Sequence, residues 1–316
     1  IEPSHVPYVR QAYSTPSNLF FGEDIIESAE GVQQGDPIAP ALFCLGIQEP
    51  IIDRCESELN IWYLDDGTLG DHQDVVYRDF ERILDASEAT GLCINSSKCE
   101  LIVLDDDAEL KDRCLQRFRT LAPDVKLVDR KDISFLGAPL QTESAEAVLE
   151  SKLQDLQRMI NRFDELDAHD AFVLLRNCFA IPRLMHILRS SNCTDLPILE
   201  RYDSAIKKGL EGIFNCSLSP TAWSQASLPV KMGGLGIRAA SDLALPAFLA
   251  SALACDPACV RILPEEVATH GYTSLDTAKP QWSALTGETL PDPPSQSRLD
   301  NPLCQLRLDS LIQAAP

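Results

Sequence analysis

Two adjacent aspartates at a predicted hairpin tip constrain this chain more than any other feature. The run Tyr63-Leu64-Asp65-Asp66-Gly67 lies between the apolar runs Leu59–Tyr63 and Thr68–Leu69, and an Asp-Gly pair in that setting is typical of a tight turn between strands. Neighbouring carboxylates repel each other unless a cation lies beside them. Mg²⁺ (or Mn²⁺) prefers such oxygen ligands and commonly serves phosphoryl chemistry. An exposed acidic turn without any ligand has the same local pattern, so the hairpin alone leaves both interpretations open.

A glycine-bearing loop, Gly31–Pro40, precedes the acidic hairpin. Gly35 has no side chain, so its backbone can come close to a ligand. Asp36 and Pro37 are residue types favoured at the N-cap and the first position of a helix. Apolar residues then recur at helical spacing: Ile38, Ala41, Leu42, Leu45 and Ile52. We therefore predict a loop with a free amide, Gln34, that opens a buried helix.

Further segments follow in order. Val76, Phe80, Ile83, Leu84 and Ser87 predict an amphipathic helix that ends at Gly91. The segment Gly91–Glu100 predicts a turn that enters an apolar strand, Leu101–Leu104. Phe135–Leu140 and Leu228–Ile237 are two later glycine-containing segments.

This series of segments resembles reverse transcriptases of non-LTR (LINE-like) retrotransposons. Gln34–Pro40 is similar to the nucleotide-pocket motif Gln-Gly-Asp-Pro-x-x-Pro of that family, and Tyr63–Asp66 is similar to its metal motif Tyr/Phe-x-Asp-Asp. The resemblance extends over residues 7–240. It implies an RNA-directed DNA polymerase, a nucleotidyltransferase of retrotransposition, with an RNA template, a DNA primer and deoxynucleoside triphosphates as partners.

The resemblance also implies roles for individual residues. Asp65 and Asp66 would be the catalytic metal ligands, and Lys98 would approach the triphosphate. The nucleotide pocket would include Gln34, Gly35 and Tyr63. The primer grip would include Phe135, Leu136 and Gly137, and the template–primer contacts would include Arg176 and Arg183.

The first metal motif of the family, a strand-borne Asp, would lie before Pro7. Asp24 is the acidic residue nearby, but the run Gly22-Glu23-Asp24 predicts a hairpin tip. We therefore interpret the chain as the C-terminal palm and thumb part of an N-terminally truncated polymerase. It would need the N-terminal fingers and palm segment of the same polyprotein, and we expect it to be inactive by itself because two-metal transfer needs carboxylates on both sides of the metal pair.

The predicted fold class is α+β. Residues 1–140 would form a partial right-hand palm with an antiparallel sheet and helices. Residues 141–285 would form an all-helical thumb or connection, because Leu149, Leu153, Leu156 and Ile160 step at helical spacing. Residues 286–316 contain several prolines and predict a linker-like tail. Pro182 lies between Arg176 and Arg183 and leaves open whether these arginines share a helical face.

Charge argues against nucleic-acid binding by this chain alone. The net charge is −21; residues 1–150 hold 12 Lys+Arg against 30 Asp+Glu, and residues 151–240 hold 11 against 9. Affinity for nucleic acid comes largely from phosphate neutralisation, so we expect weak duplex binding. Eleven scattered cysteines without a C-x-x-C pair indicate reduced thiols in an intracellular protein of the nucleus or cytoplasm. We expect no membrane partner, because the longest apolar run, Leu243–Leu253, is broken by Pro246.

Two other classes of function stay open. The first is a non-catalytic palm-like scaffold, or a degenerate retroelement relic, that binds RNA or protein without chemistry. The second is a different palm enzyme, such as a nucleotide cyclase, which shares a metal-bearing hairpin. Gln34–Pro40 and the long helical thumb argue against the cyclase.

Overall fold

The chain folds as a mixed α+β protein that is mostly helical. A computed structural model describes residues 3–262 and 273–314. Contacts divide the chain into two compact units, Ile1–Val128 and Asp129–Pro316. The α+β class predicted from the sequence is confirmed at this level, and each unit is described by itself below.

The first unit combines helices with short paired strands. Its helices are α1 (Val6–Tyr13), α2 (Ala39–Gln48), α3 (Gln73–Ala89) and α4 (Ala108–Phe118). Its strands are β1 (Ser17–Phe21), β2 (Asp24–Ser28), β3 (Leu59–Tyr63), β4 (Asp66–Gly70), β5 (Glu100–Ile102) and β6 (Lys126–Val128). The β1–β2 and β3–β4 pairs are antiparallel, and β5–β6 is parallel. Across residues 3–262 and 273–314 the strands form separate two-stranded sheets, whereas we predicted one antiparallel sheet.

One hydrophobic core joins α2, the β3–β4 hairpin and α3. Ile47, Ile51 and Ile83 are buried there, and Trp62 and Leu69 of the hairpin pack against them. A second cluster, around Phe118, Ala122 and Val125, joins α4 to the first turns of α3. The acidic hairpin and α2, which follows the Gly31–Pro40 loop, therefore pack in the same core.

The end of α3 follows the sequence signal. The Gly91 φ angle is +76°, in the left-handed region that glycine adopts without a steric penalty. The Leu92 amide donates to the Ser87 carbonyl at 2.8 Å and the Gly91 amide to the Glu88 carbonyl at 3.2 Å. This is the Schellman pattern of helix termination, and the predicted end of the helix at Gly91 is confirmed.

Asp79 on α3 is fully buried and was not identified from the sequence. Its Oδ2 accepts from the Ser57 hydroxyl at 2.6 Å and from the amides of Ser57 at 2.7 Å and Glu56 at 2.9 Å. Its Oδ1 accepts from Arg82 at 3.1 Å. Burial raises the pKa of Asp79, but these hydrogen bonds and the Arg82 charge outweigh it and hold the pKa below its usual value. The ionised carboxylate thus ties the start of β3 to α3.

Replacing Asp79 with Asn should destabilise the first unit by about 2–3 kcal/mol, because the amide is uncharged and in either orientation its NH₂ group faces a donor, Arg82 on one side or the backbone amides of Glu56 and Ser57 on the other. The pKa of Asp79 is lower in the folded chain than in the unfolded chain, where it is about 4. The ionised carboxylate therefore stabilises the fold fully above about pH 4, and this stabilisation is lost as the pH falls through the pKa of the folded chain. Urea unfolding of both proteins at pH 7 and pH 3 measures this. The difference between them should shrink at pH 3; a constant difference would contradict the role of the charge.

The second unit is almost entirely helical. Its helices are α5 (Thr142–Ile160), α6 (Ala168–Leu174), α7 (Met185–Ser190), α8 (Pro197–Phe214), α9 (Pro220–Ala226), α10 (Ala240–Ile262), α11 (Thr273–Thr286) and α12 (Gln296–Gln313). A short hairpin, β7 (Ser134–Phe135) and β8 (Ala138–Pro139), precedes them. The predicted apolar face of α5 is buried, since Leu149, Leu153 and Leu156 lie in a core formed with α7, α8 and α10.

The predicted helix around Pro182 is broken. A π-helical segment, Leu175–Phe179, and a 3-10 turn, Ile181–Arg183, separate α6 from α7. Pro182 cannot donate a backbone hydrogen bond, so a regular α-helix does not continue through it. Arg176 and Arg183 therefore do not share one unbroken helix.

The prediction of a linker-like tail over residues 286–316 is wrong for the part that forms α12. Leu299 is fully buried, and its carbonyl accepts a hydrogen bond from the Trp282 indole at 2.9 Å. Arg238 forms a bidentate ion pair with Asp300. The prolines that indicated a linker precede the helix, and Pro302 lies within it. Tertiary contacts override the local composition here.

Two segments of the second unit, Ala168–Ser190 and Ala240–Arg261, are long and apolar enough to cross a bilayer by length and composition. Both supply buried side chains to this unit, such as Leu184 and Leu188 from the first segment and Leu243 and Leu249 from the second. A core helix passes the same test as a membrane span. The expected absence of a membrane partner stays a prediction.

Candidate functional site

The acidic tip is a two-residue turn between β3 and β4. Tyr63 pairs with Asp66, so Leu64 and Asp65 form the turn, and Asp66 and Gly67 lie in β4. The predicted turn at Asp66-Gly67 is thus wrong by two positions. The φ angle of Leu64 is +57°, a left-handed conformation that costs a non-glycine residue about 1–2 kcal/mol. Such strain is concentrated at functional sites.

The carboxylates of Asp65 and Asp66 are exposed. Neither makes a hydrogen bond or an ion pair with any described side chain, so their oxygens are available to an external ligand. Within residues 3–262 and 273–314 no group of three or more His, Cys, Asp or Glu side chains could hold a metal ion. Two carboxylates fit Mg²⁺ when phosphate oxygens and water supply its other ligands, which is the usual arrangement for this ion.

Trp62 holds the acidic hairpin together. Its ring covers Gly67 so closely that a Cβ atom at Gly67 would lie 2.7 Å from the ring carbons. The Trp62 indole donates to Asn60 Oδ1 at 2.7 Å, and Asn60 Nδ2 donates to the Ile52 carbonyl at 3.1 Å. Position 67 therefore needs glycine, because Trp62 occupies the space that a Cβ atom would fill.

Replacing Gly67 with Ala should destabilise the first unit by about 1–3 kcal/mol, because the indole must leave its place against the strand. Gly46→Ala is the matched control. A Cβ atom at Gly46 meets nothing within 4 Å, and alanine is the better helix former in α2, so this variant should be neutral or more stable. Thermal unfolding monitored by tryptophan fluorescence measures both; equal effects would contradict the role of Trp62.

The loop of Gln34 and Gly35 is anchored by Asp36. Gln34 and Gly35 are exposed, and the Gly35 φ angle is +94°. Asp36 accepts from the Tyr13 hydroxyl at 2.6 Å, the Tyr8 hydroxyl at 3.1 Å and the Ile38 amide at 3.1 Å. The Tyr13 hydrogen bond is the main cause that holds the pKa of Asp36 below its usual value. Asp36 is thus engaged by its own chain and does not present a free carboxylate.

This anchoring differs from the prediction and uses residues that the sequence did not reveal. We predicted Asp36 as the N-cap of α2, but α2 begins at Ala39. Gln33 reinforces the loop with two hydrogen bonds. Its backbone N–H donates to the Tyr13 hydroxyl at 3.3 Å, and its side-chain Nε2 donates to Ser17 Oγ at 2.6 Å. The tyrosine partners are distant in sequence, and no local pattern marks them.

Lys98 is exposed at the end of a 3-10 turn, Ser96–Lys98, that leads into β5. Asn95 caps this turn, because its Oδ1 accepts from the Ser97 amide at 3.1 Å. No ion pair of Lys98 occurs among the described side chains. Its ammonium group is therefore available to an external anion.

The predicted primer-grip residues form the β7–β8 hairpin of the second unit. Leu136 and Gly137 make the turn with φ angles of +48° and +75°, the combination typical of a type I′ turn. His186 Nε2 is hydrogen-bonded to the Leu136 carbonyl at 3.0 Å, and the Ser191 hydroxyl donates to the Pro139 carbonyl at 2.6 Å. His186 lies 50 residues from Leu136 in the chain, and no local sequence pattern marks the two as partners.

The remaining predicted site residues are exposed. Arg176 and Arg183 are exposed in the second unit, and the Tyr63 ring is 63% exposed at the end of β3. Within the first unit, the acidic hairpin packs in one core with α2, the helix that follows the Gln34 loop. The β7–β8 turn and both arginines belong to the second unit.

No protein-family model matches the chain. The chain is 26% identical over 225 residues to the "Retrotransposable element SLACS 132 kDa protein" of Trypanosoma brucei gambiense, an alignment that covers 69% of this chain and 18% of that protein. The chain thus spans less than a fifth of the length of this relative. The similarity supports a retrotransposon-related protein.

Proposed function

We propose that the chain is the palm and thumb part of an RNA-directed DNA polymerase of a non-LTR retrotransposon. The observation that carries this proposal is the pair of exposed carboxylates, which pair with no described side chain, on a hairpin that packs with α2, the helix that follows the Gln34–Gly35 loop. The sequence similarity to a retrotransposon protein supports the retrotransposon part of this proposal.

The reaction would be nucleotidyl transfer. The 3′-hydroxyl of the primer attacks the α-phosphate of a deoxynucleoside triphosphate, a phosphodiester bond forms, and pyrophosphate leaves. Asp65 and Asp66 would hold Mg²⁺ or Mn²⁺ together with the nucleotide phosphates. The ion would stabilise the negative charge that develops on the phosphoryl oxygens. The strained turn at Leu64 presents the two carboxylates before any substrate arrives.

Other residues would position the substrates. The Gln34 amide and the Gly35 backbone would line the nucleotide pocket, and the Asp36–Tyr13 hydrogen bond would keep that loop in place. Lys98 would offer positive charge to the leaving pyrophosphate. The exposed Tyr63 ring would pack beneath the primer terminus, and the Phe135–Gly137 turn would support the primer.

Metal binding should depend on Asp65. We expect weak Mn²⁺ binding by the chain, because two carboxylates do not complete an octahedral site, and tighter binding when a non-hydrolysable deoxynucleoside triphosphate supplies phosphate oxygens. Asp65→Asn should weaken the nucleotide-dependent binding about tenfold or more, the scale on which metal sites respond to losing a supporting group. Mn²⁺ relaxation titrations measure it.

Asp112→Asn is the control for that titration, because it removes one exposed carboxylate from α4 and leaves the hairpin intact. It should change Mn²⁺ binding by less than about twofold, as expected for a distant, screened charge. Equal loss in the two variants would mean that the hairpin acts only as part of a general acidic surface.

Primer extension should require more than residues 1–316. Two-metal transfer needs carboxylates on both sides of the metal pair. Asp65 and Asp66 lie together on one hairpin, and two tyrosines engage Asp36. We therefore expect no extension of a primer on RNA by this chain alone. The complete parent polyprotein should extend it, and Asp65→Ala should reduce the rate by about 10³-fold or more, on the scale of losing one preorganised electrostatic group. A primer-extension assay with labelled nucleotide measures both.

Two results of that assay would change the proposal. Extension by residues 1–316 that is lost on Asp65→Ala would show that this chain holds a complete site. Absence of extension by the parent polyprotein would favour the non-catalytic scaffold or relic.

A further inference from the structure

The β1–β2 hairpin exposes apolar side chains on both of its faces. Five of them are each 53–77% exposed: Leu19, Phe20, Phe21, Ile25 and Ile26. Leu19 lies opposite Ile26 on one face, and Phe20 lies opposite Ile25 on the other. A hairpin of two short strands is marginally stable by itself, and a contiguous exposed apolar patch is typical of an interaction surface. The hairpin therefore suits a partner that covers it.

The outer edge of β2 is open to a further strand. Within residues 3–262 and 273–314, β1 and β2 form a two-stranded sheet and pair with each other alone. The start of β1 is engaged, because Ser17 Oγ accepts from Gln33 Nε2 at 2.6 Å. Proteins often protect an exposed edge with lysine, proline or a bulge, but Asp24–Ser28 contains neither residue and pairs in continuous register. The backbone N–H and C=O groups along β2 are therefore a template for strand addition.

The surroundings of the hairpin are acidic and lack a compensating cation. Residues 11–53 contain seven Asp and Glu and no Lys, Arg or His. Asp24 and Glu27 of β2 are exposed, and neither makes an ion pair with any described side chain. Because side chains alternate along a strand, Asp24 shares a face with Ile26, and Glu27 shares the other face with Ile25. Each face of β2 thus carries one apolar and one acidic side chain.

We propose that β2 binds an extended segment of another protein as a third strand, and that this segment has the pattern basic–apolar–apolar–basic. Its two apolar residues pair with Ile25 and Ile26, and its two basic residues lie opposite Asp24 and Glu27. Opposite charges that face each other across strands stabilise the pairing, and main-chain hydrogen bonds supply affinity. The proposal uses no residue of the β3–β4 hairpin and does not rest on polymerase activity.

A second copy of this chain fits the same edge poorly. Two β2 strands that paired antiparallel, with Ile25 opposite Ile26, would place Asp24 of one copy opposite Glu27 of the other. Like charges directly opposite each other destabilise a strand pair. The charges therefore favour a basic partner over self-association.

The test is binding of a fluorescein-labelled peptide, Gly-Thr-Thr-Lys-Val-Val-Lys-Thr-Thr-Gly, to the whole chain. Fluorescence anisotropy at about 150 mM salt measures it, because charges more than about 8 Å apart are then largely screened. The unmodified chain should bind the peptide saturably. Asp24→Asn and Glu27→Gln should each weaken binding about two- to fivefold, the scale of one cross-strand ion pair. Ile25→Thr keeps a β-branched side chain but loses apolar contact, and should weaken binding about fivefold.

Glu81→Gln is the matched control. Glu81 is exposed on α3, outside the hairpin, and its neutralisation should change peptide binding less than about twofold. A charge exchange tests the pairing directly: the double variant Asp24→Lys with Glu27→Lys should lose the lysine peptide and bind the same peptide with Glu in place of Lys. Thermal unfolding of each variant checks that the fold is kept.

N-methylation of the peptide tests the main-chain hydrogen bonds. Alternate residues of an added strand bond to the edge, so methylating one set of alternate amides should abolish binding, and methylating the other set should preserve it. Absence of peptide binding by the unmodified chain, equal losses in Glu27→Gln and Glu81→Gln, or binding of both methylated peptides would each overturn the proposal. Self-association of the chain in sedimentation that is lost in Ile25→Thr would overturn it in favour of a second copy.

Discussion

Packing of the β3–β4 hairpin against α2 and α3 is the contact on which the first unit depends. The hairpin has only two short strands, and an isolated pair of this size is marginally stable in water. Trp62 and Leu69 supply the apolar face, and Ile47, Ile51 and Ile83 supply the surface that receives it. The tip can hold a strained leucine and two carboxylates that pair with no described side chain, because Trp62 and Leu69 fix the strands behind it. The same helix, α2, begins at Ala39, four residues after Gly35, so the hairpin packs against the helix that follows the Gln34–Gly35 loop.

The sequence predicted best the features that depend on neighbouring residues. Gly91 marks the end of α3 because glycine takes the left-handed conformation easily, and the apolar steps of α5 mark its buried face because they follow the helical period. The hairpin at Tyr63–Asp66 was predictable for the same reason. The predicted turn was two positions too late. Glycine is needed at position 67 because the Trp62 ring leaves no room for a Cβ atom there, and not because the turn requires it.

Features that join distant parts of the chain were not predictable in this way. Asp36 carries an N-cap pattern, yet tyrosines 23 and 28 residues away occupy its carboxylate. In the sequence, Asp79 resembles an exposed aspartate on an amphipathic helix, but in the structure it is buried and accepts hydrogen bonds from Ser57. His186 meets the carbonyl of a turn 50 residues away. In each case the partner is chosen by tertiary folding, and a single sequence holds no periodic or spacing signal for it.

The ion pair between Arg238 and Asp300 has a consequence for how the second unit can be divided. Asp300 lies on α12, beyond the proline-containing stretch that looks like a natural place to cut the chain. Arg307 of the same helix also bonds Asp242 and donates to the Ser227 hydroxyl at 2.9 Å. Removing α12 would leave the Arg238 guanidinium largely buried without its counter-ion, a change that typically costs about 3–5 kcal/mol. Proteolysis or engineering at the prolines would therefore disturb Ser227, Arg238 and Asp242, although all three lie outside α12.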